Sequence, residues 1–309
     1  MQPKGWVGIS VSAQGVSVVR VVRDEGRAPR LEACAFRPCE AVAHQDKVLG
    51  ELMKDYGLMQ ARCVRLMEPG SYHLLLVEAP NVATPELKAA VRWRIKDLID
   101  FHVDDAVIDV FDIPGQGVQG RPKMMYVVVA RAALVQSYVD RAEEARLNLT
   151  VIDIPELALR NITALLPEDD AGVALLHLDP QGGHIILTRQ SDLYLARNIE
   201  VAAEHLAHSG TELAPPLQRA LDGVILEIQR SLDYYESHYA QPPITHLYVT
   251  PLEKEAPGLM EYIGANLSVA VRQLDVNQLL QCTPPLNRAL QARCLLGIGA
   301  ALRTEQRTL

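Results

Sequence analysis

The chain has 309 residues, of which 49% are hydrophobic and 22% charged, with a formal net charge of −8. That length buries the cores of two ordinary domains, and the composition excludes a disordered or low-complexity chain. The acidic balance excludes a nucleic-acid binder, which needs a concentrated Lys/Arg surface to displace counterions.

In chain order, the first element is an extended apolar hairpin. Val7 to Val11 is a β-branched run, Gln14-Gly15 marks a turn, and Val16 to Arg20 returns. Arg30 to Phe36 adds a third strand. A helix follows from about Asp46 to Tyr56, with Asp46 as its cap, Leu49, Leu52 and Met53 on its apolar face, and Gly57 at a left-handed stop. Three strands and a helix make one half of a duplicated α/β domain.

From Ser71 the pattern changes to a compact unit that reads as an insertion. Tyr72 to Glu78 is a strand, and Thr84-Pro85-Glu86 starts a helix on which Leu87, Ala90, Val91, Ile95, Leu98 and Ile99 recur at helical spacing. Strands Ala106 to Ile113 and Lys123 to Ala130, joined by a loop from Gly115 to Gly120, complete a small sheet with one helix on its face. A helix from Arg131 to Arg146, a strand from Thr150 to Ile154 and a helix from Glu156 to Leu166 close the first half. Pro167-Glu168-Asp169-Asp170 marks the boundary.

The second half repeats the opening unit: strand Val173 to Leu178, a turn from Asp179 to Gly183, strand His184 to Leu187 and a third run, Leu193 to Ile199. Pro215-Pro216 introduces the longest helix, to Tyr239, with Leu221, Val224, Ile225, Ile228, Leu232 and Tyr235 on one face. A strand from His246 to Thr250, a helix near Gly258 to Leu267, a strand Ala270 to Leu274 and a helix from about Leu286 to Arg303 follow. The expected division is therefore 1–70 with 131–166, an inserted unit 71–130, and a second half 167–309 with a smaller part at about 190–245.

Chemistry-bearing motifs are sparse. There is no nucleophile elbow, Walker loop or zinc-like ligand set, and the five cysteines are odd in number and scattered, as reduced thiols are. His205 and His208 share a helix face, which reads as solvated rather than as a two-ligand metal site. Gly182-Gly183 after a strand suits an anion-cradling turn, but a plain hairpin turn explains the same residues. Trp93, among Arg92, Arg94 and Lys96, either anchors a ligand or packs on the adjacent sheet. No apolar run approaches the roughly 20 residues of a membrane span, and the start of the chain lacks a signal-peptide core, so a cytoplasmic protein without direct membrane insertion is expected.

Several stretches together resemble the PilM-like proteins of type IV pilus machines, which have the actin-like ATPase fold. They are Leu74 to Pro80, the helix bearing Arg92-Trp93-Arg94-Ile95-Lys96-Asp97-Leu98, Ala106 to Phe111, and Val151-Ile152-Asp153-Ile154-Pro155-Glu156. Leu226 to Glu236 and Gly297-Ile298-Gly299-Ala300-Ala301-Leu302-Arg303 extend the likeness over essentially the whole chain. The resemblance implies two actin-like halves (subdomain 1A and a second half 2A with a 2B-like part) and an inserted α+β subdomain (1C).

In such folds ATP lies between the halves, its phosphates gripped by the two hairpins and Mg²⁺ oriented by carboxylates near their tips. Against that pattern, Ser10 and Ser12 stand where the first hairpin of nucleotide-binding relatives carries an acid and a glycine, ahead of Gln14-Gly15, with Ser17 at the place of a later lysine. A serine supplies no anionic Mg²⁺ ligand. In the second hairpin the acid position falls on His177, or on Asp179 with a two-residue shift, ahead of Gln181, Gly182 and Gly183. The glycine-rich adenosine loop is replaced by Thr250-Pro251-Leu252-Glu253-Lys254-Glu255, where side chains and a proline obstruct close backbone approach.

The expectation is a pseudo-ATPase with no cofactor, retaining at most residual ATP/Mg²⁺ binding. Its implied role is a scaffold at the inner-membrane platform of an MSHA-type pilus, holding the cytoplasmic N-terminal tail of a PilN-like bitopic membrane protein among other platform components. Arg92, Trp93, Lys96 and Phe101 are the expected groove. The competing expectation is an ATP-binding actin-like protein whose nucleotide state regulates partner binding.

Overall fold

The computed structural model describes residues 5–116, 122–179, 182–199, 215–239 and 241–304. Two large sheets are built on one plan. In the first, β1 (Trp6–Ser12), β2 (Gly15–Val22) and β3 (Arg30–Pro38) form an antiparallel meander. Beyond β1 the parallel strands β4 (Arg62–Leu66) and β8 (Asn148–Asp153) extend it. In the second, β9 (Val173–Asp179), β10 (Gly182–Arg189) and β11 (Asp192–Ile199) form the meander, and β12 (His246–Val249) and β13 (Ala270–Gln273) add in parallel. Both sheets thus run third, second, first, fourth, fifth. The repeat in the hairpins' apolar pattern is a repeat of whole-sheet topology.

Alternation along β1 sends Val7, Ile9 and Val11 to one face, where they pack under Leu49, Leu52 and Met53 of α1 (Val42–Asp55). Gly8, Ser10 and Ser12 take the other face. There lies α8 (Arg288–Ala301), capped by the Asn287 side chain, which accepts from Leu290 N at 2.9 Å. A Cβ on Gly8 would overlap the Gly297 carbonyl oxygen, and one on Gly299 would overlap the carbonyl oxygen of Ala158 on α4 (Pro155–Thr163). Glycine is what lets this helix approach both a strand and a second helix at backbone distance. Together α4 and α8 fill the layer between the sheets, so one core runs from Val19 and Val21 through Leu159, Ile162, Leu295 and Ile298 to Leu175, Ile186 and Leu187.

Between β4 and α3 (Ala132–Glu144) stands a three-stranded antiparallel sheet of β5 (Tyr72–Glu78), β7 (Met124–Arg131) and β6 (Ala106–Asp112), in the order β5-β7-β6. Val91 and Ile95 of α2 (Leu87–Ile95) cover one face of it. The long α5 (Pro215–Tyr239) and α6 (Leu259–Asn266) serve the second sheet, burying Leu221, Val224, Ile228 and Ile263.

Several expected elements differ. The first helix starts at Val42 with no side-chain cap, and Asp46 instead pairs with Arg141 on α3 at 3.6 Å. The inserted helix ends at Ile95, so Leu98, expected on its apolar face, is 53% exposed. Strand β4, the short α7 (Val276–Leu279) and the two-residue β14 (Gln281–Cys282) are additions to the expected set. β14 pairs with β3, so the chain that follows the second sheet returns to the first before α8 begins. His205 and His208 lie outside the described residues, as does most of the loop from Gly115 to Gly120.

Candidate functional site

The two hairpins and the end of β12 supply the site. Ser10 and Ser12 lie on the α8 side of β1, and the hydroxyls of Ser12 and Ser17 are bonded within the hairpin. Ser12 Oγ donates to Gly15 O at 3.4 Å and accepts from Gln14 N at 3.3 Å, while Ser17 Oγ donates to Ser10 O at 3.4 Å. Gln45 of α1 donates to Ser12 O at 2.9 Å, and Cys39 N donates to Gln14 O at 3.0 Å. The first hairpin is therefore braced by its own hydroxyls and by its neighbours.

In the second hairpin Asp179 pairs with Gly182, which places Gly183 opposite Leu178 and His184 opposite His177. Gln181 lies outside the described residues. The two imidazoles are buried, 4% and 7% exposed, with rings 9° from parallel and centroids 6.3 Å apart. His177 Nδ1 shares a hydrogen bond of 3.0 Å with the Thr250 hydroxyl, and Thr250 N donates to Leu176 O at 2.9 Å. Burial lowers the His177 pKa to about 4, with Asp179 opposing the shift and His184 adding to it. His184 is the residue the motif reading missed. Counting outward from the Asp179–Gly182 turn pairs it with His177, a signal the sequence does carry.

Past Thr250, the buried Pro251 and Leu252 lead to a cleft of about 240 Å³. Thr250, Glu255, Gly258, Gln273 and Arg288 line it. Gly258, at φ 81°, turns the chain into α6 in the left-handed region. Arg288 and Glu255 pair across the cleft at 3.5 Å.

The fit of a magnesium nucleotide can be tested on these residues. Mg²⁺ takes hard oxygen ligands, usually one or two carboxylates plus phosphates and water. At position 177 the side chain is an imidazole already bonded to Thr250, and at position 12 the hydroxyl is bonded within its own turn. Of the hairpin positions in question, Asp179 alone carries a carboxylate. Among the described residues no group of three His, Cys, Asp or Glu side chains has metal-site geometry.

The expected partner residues separate into two places on the inserted unit. Trp93 is 77% exposed on the outer side of α2, with Lys96 Nζ 6.0 Å from its ring centroid. Arg92 donates to Val103 O at 2.7 Å and reaches Asp104 at 3.4 Å. Lys88 and Arg94 are likewise taken, by Asp109 at 3.2 Å and Glu78 at 3.5 Å, so the basic helix is largely neutralised on its own unit. Phe101 lies under the Arg131 guanidinium at 4.3 Å and 5.9 Å from His73, with Asp100 hydrogen-bonded to both side chains at 3.1 Å. The hydrogen bond from His73 holds the Asp100 carboxyl below its ordinary range.

This second cluster adjoins the seam with the first half. There Met67, Ala130, Tyr138 and Ile154 pack together, and Tyr72 OH donates to Glu156 at 2.6 Å. A further contact runs to the second half, where Ala196 N donates to Tyr126 OH at 3.0 Å and Tyr126 stacks on Phe111 at 5.2 Å.

Two sheets of one topology with helices between them define the actin-like ATPase fold, and this chain has it. No family model matches the chain, and no curated protein does. Solved structures match it end to end. A chain of the PilM–PilN type IV pilus biogenesis complex superposes with a TM-score of 0.71 at 20% identity, covering 97% of this chain and 98% of that one. The cytoplasmic domain of EpsL, an inner-membrane component of the type II secretion system of Vibrio cholerae, gives 0.52 at 14% identity over 98% and 99%. A Bacteroides thetaiotaomicron protein with an actin-like ATPase fold and unknown function gives 0.50 at 9% over 95% of both chains.

Proposed function

We propose that this protein is a scaffold of the inner-membrane assembly platform of a type IV pilus, the PilM-like component of an MSHA-type machine such as MshI. In this reading it holds the cytoplasmic N-terminal tail of a PilN-like membrane protein and works as a pseudo-ATPase. The observation that carries the reading is the end-to-end likeness to a chain of the PilM–PilN complex, which at 97% coverage necessarily takes in the inserted sheet. An extended tail gains main-chain hydrogen bonds and side-chain pockets when it lies along a sheet or a seam. The seam lined by Tyr72, Phe101 and Arg131, with Trp93 and Lys96 beyond it, offers such a surface. The loss of hydrolysis rests on the imidazole at position 177 and the self-satisfied serines of the first hairpin.

The competing reading, an ATP-regulated partner switch, draws on the cleft of about 240 Å³ beside Thr250. Calorimetric titration with a synthetic tail peptide and with ATP and Mg²⁺ separates the two. Peptide binding without nucleotide heat is the expected result. Micromolar, magnesium-dependent ATP binding that changes peptide affinity overturns the pseudo-ATPase, and absence of peptide binding overturns the scaffold.

A further inference from the structure

The β9–β10 hairpin carries a buried pair of titratable rings that neither tail binding nor a lost nucleotide site uses. His177 and His184 face each other across the ladder, and both are almost wholly enclosed. One nitrogen of His177 is engaged by Thr250. The other, Nε2, and Nδ1 of His184 are buried without a hydrogen-bond partner. Buried polar atoms left unpartnered are uncommon in folded proteins and store free energy that an opened state recovers by hydration.

We propose that this imidazole pair is a proton-operated latch. Neutral, it keeps the outer end of the hairpin, His177 to Asp179 and Gly182 to His184, closed on Thr250, and on taking up a proton it lets that end fray while the buried ladder of β9 with β12 stays paired. Burial of the His177 ring disfavours an imidazolium there. Among the described residues, Asp179, two residues along β9, favours an imidazolium at His177, and His184 across the pair opposes it. From β12 the neighbour is the neutral Thr250 hydroxyl.

Burial outweighs Asp179 and keeps the closed form from binding a proton until about pH 4. In the opened hairpin the hydrated ring titrates near its ordinary value of about 6.5. Acid therefore favours opening. From pH 7.5 to 5.0 the opened population rises on the order of tenfold or more relative to the closed one.

Hydrogen exchange of the full chain, read by mass spectrometry at pH 7.5 and 5.0 and corrected for intrinsic exchange, tests the latch. The β1–β2 hairpin serves as the internal reference. Protection of the outer end of β9–β10 is expected to fall about tenfold more than that of β1–β2. In His177→Gln, which can still hydrogen-bond Thr250 but cannot titrate, that difference is expected to vanish. Equal loss in both hairpins, or an unchanged difference in His177→Gln, overturns the proposal. Should the variant fail to fold, imidazole NMR of the wild-type chain decides. A His177 resonance with its midpoint depressed well below 6.5 supports the latch, and midpoints near 6.5 for every histidine overturn it.

Discussion

Arg303, 9% exposed, places its guanidinium on the Asp153 carboxylate at the end of β8. Burial raises the Asp153 pKa, against the pull of Arg303. A buried pair adds little over an apolar substitute, but breaking it strands the partner. Arg303→Ala is therefore expected to cost about 3–5 kcal/mol in urea denaturation, and Asp153→Asn in the same chain to recover part of that loss. Trp93 is the opposite case. At 77% exposure its truncation should change stability by less than about 0.5 kcal/mol, while lowering tail affinity if the outer side of α2 belongs to the docking surface. Unchanged affinity in Trp93→Ala would confine the tail to the seam around Phe101 and Arg131.

The same scale carries an acid effect on global stability. His177 has a folded pKa below its unfolded value, so the unfolded chain binds more protons, and stability present above about pH 6.5 is lost as pH falls towards about 4. Between pH 7.5 and 5.0 the loss is about 2 kcal/mol, and His177→Gln should remove that share from the pH dependence of the urea midpoint. Identical pH dependence in wild type and variant would exclude His177 as the source.

Among the elements, β4 shows why a strand escapes pattern reading. Its sequence Arg-Cys-Val-Arg-Leu carries two arginines in five residues. Arg65 is nonetheless 5% exposed, stacked 4.4 Å from the Tyr138 ring and paired with Glu68 at 3.0 Å, and Arg62 lies 4.2 Å over Trp6. Long side chains bury their stems and find distant partners, which composition alone does not reveal. The start of α1 differs from the expected one for a related reason, since the Asp46 carboxylate pairs with Arg141 on another helix and caps nothing. Helix α8 was legible as apolar, but its Gly297-x-Gly299 spacing acquires meaning only from what crosses it. Gly299→Ala is expected to cost about 3 kcal/mol or more in thermal or urea unfolding, because its new methyl meets the fixed backbone of Ala158. A wild-type midpoint would show that α4 and α8 can part without loss.

At the scale of the molecule, the apolar core passes from the first sheet through α4 and α8 into the second, and the inserted sheet joins it through Ile113 and Tyr126. Continuous cores unfold as units. Fluorescence of the buried Trp6 and far-UV circular dichroism should therefore trace one coincident urea transition, and separated transitions would mean that the halves fold independently.

The sequence by itself determined the doubled hairpin and the inserted strand and helix unit, because alternation and helical periodicity are local records of which faces must leave water, while the actin-like architecture came from the resemblance its segments carry together. It also showed that serines and a histidine stand at the hairpin positions in question. Only the tertiary structure decided that the inserted helix's cations are mostly spent on neighbouring acids, that Phe101 and Trp93 occupy different places, and that His177 meets both His184 and Thr250. Those outcomes depend on contacts between residues up to 73 positions apart, and no local pattern encodes which distant partner a charge or a ring will find.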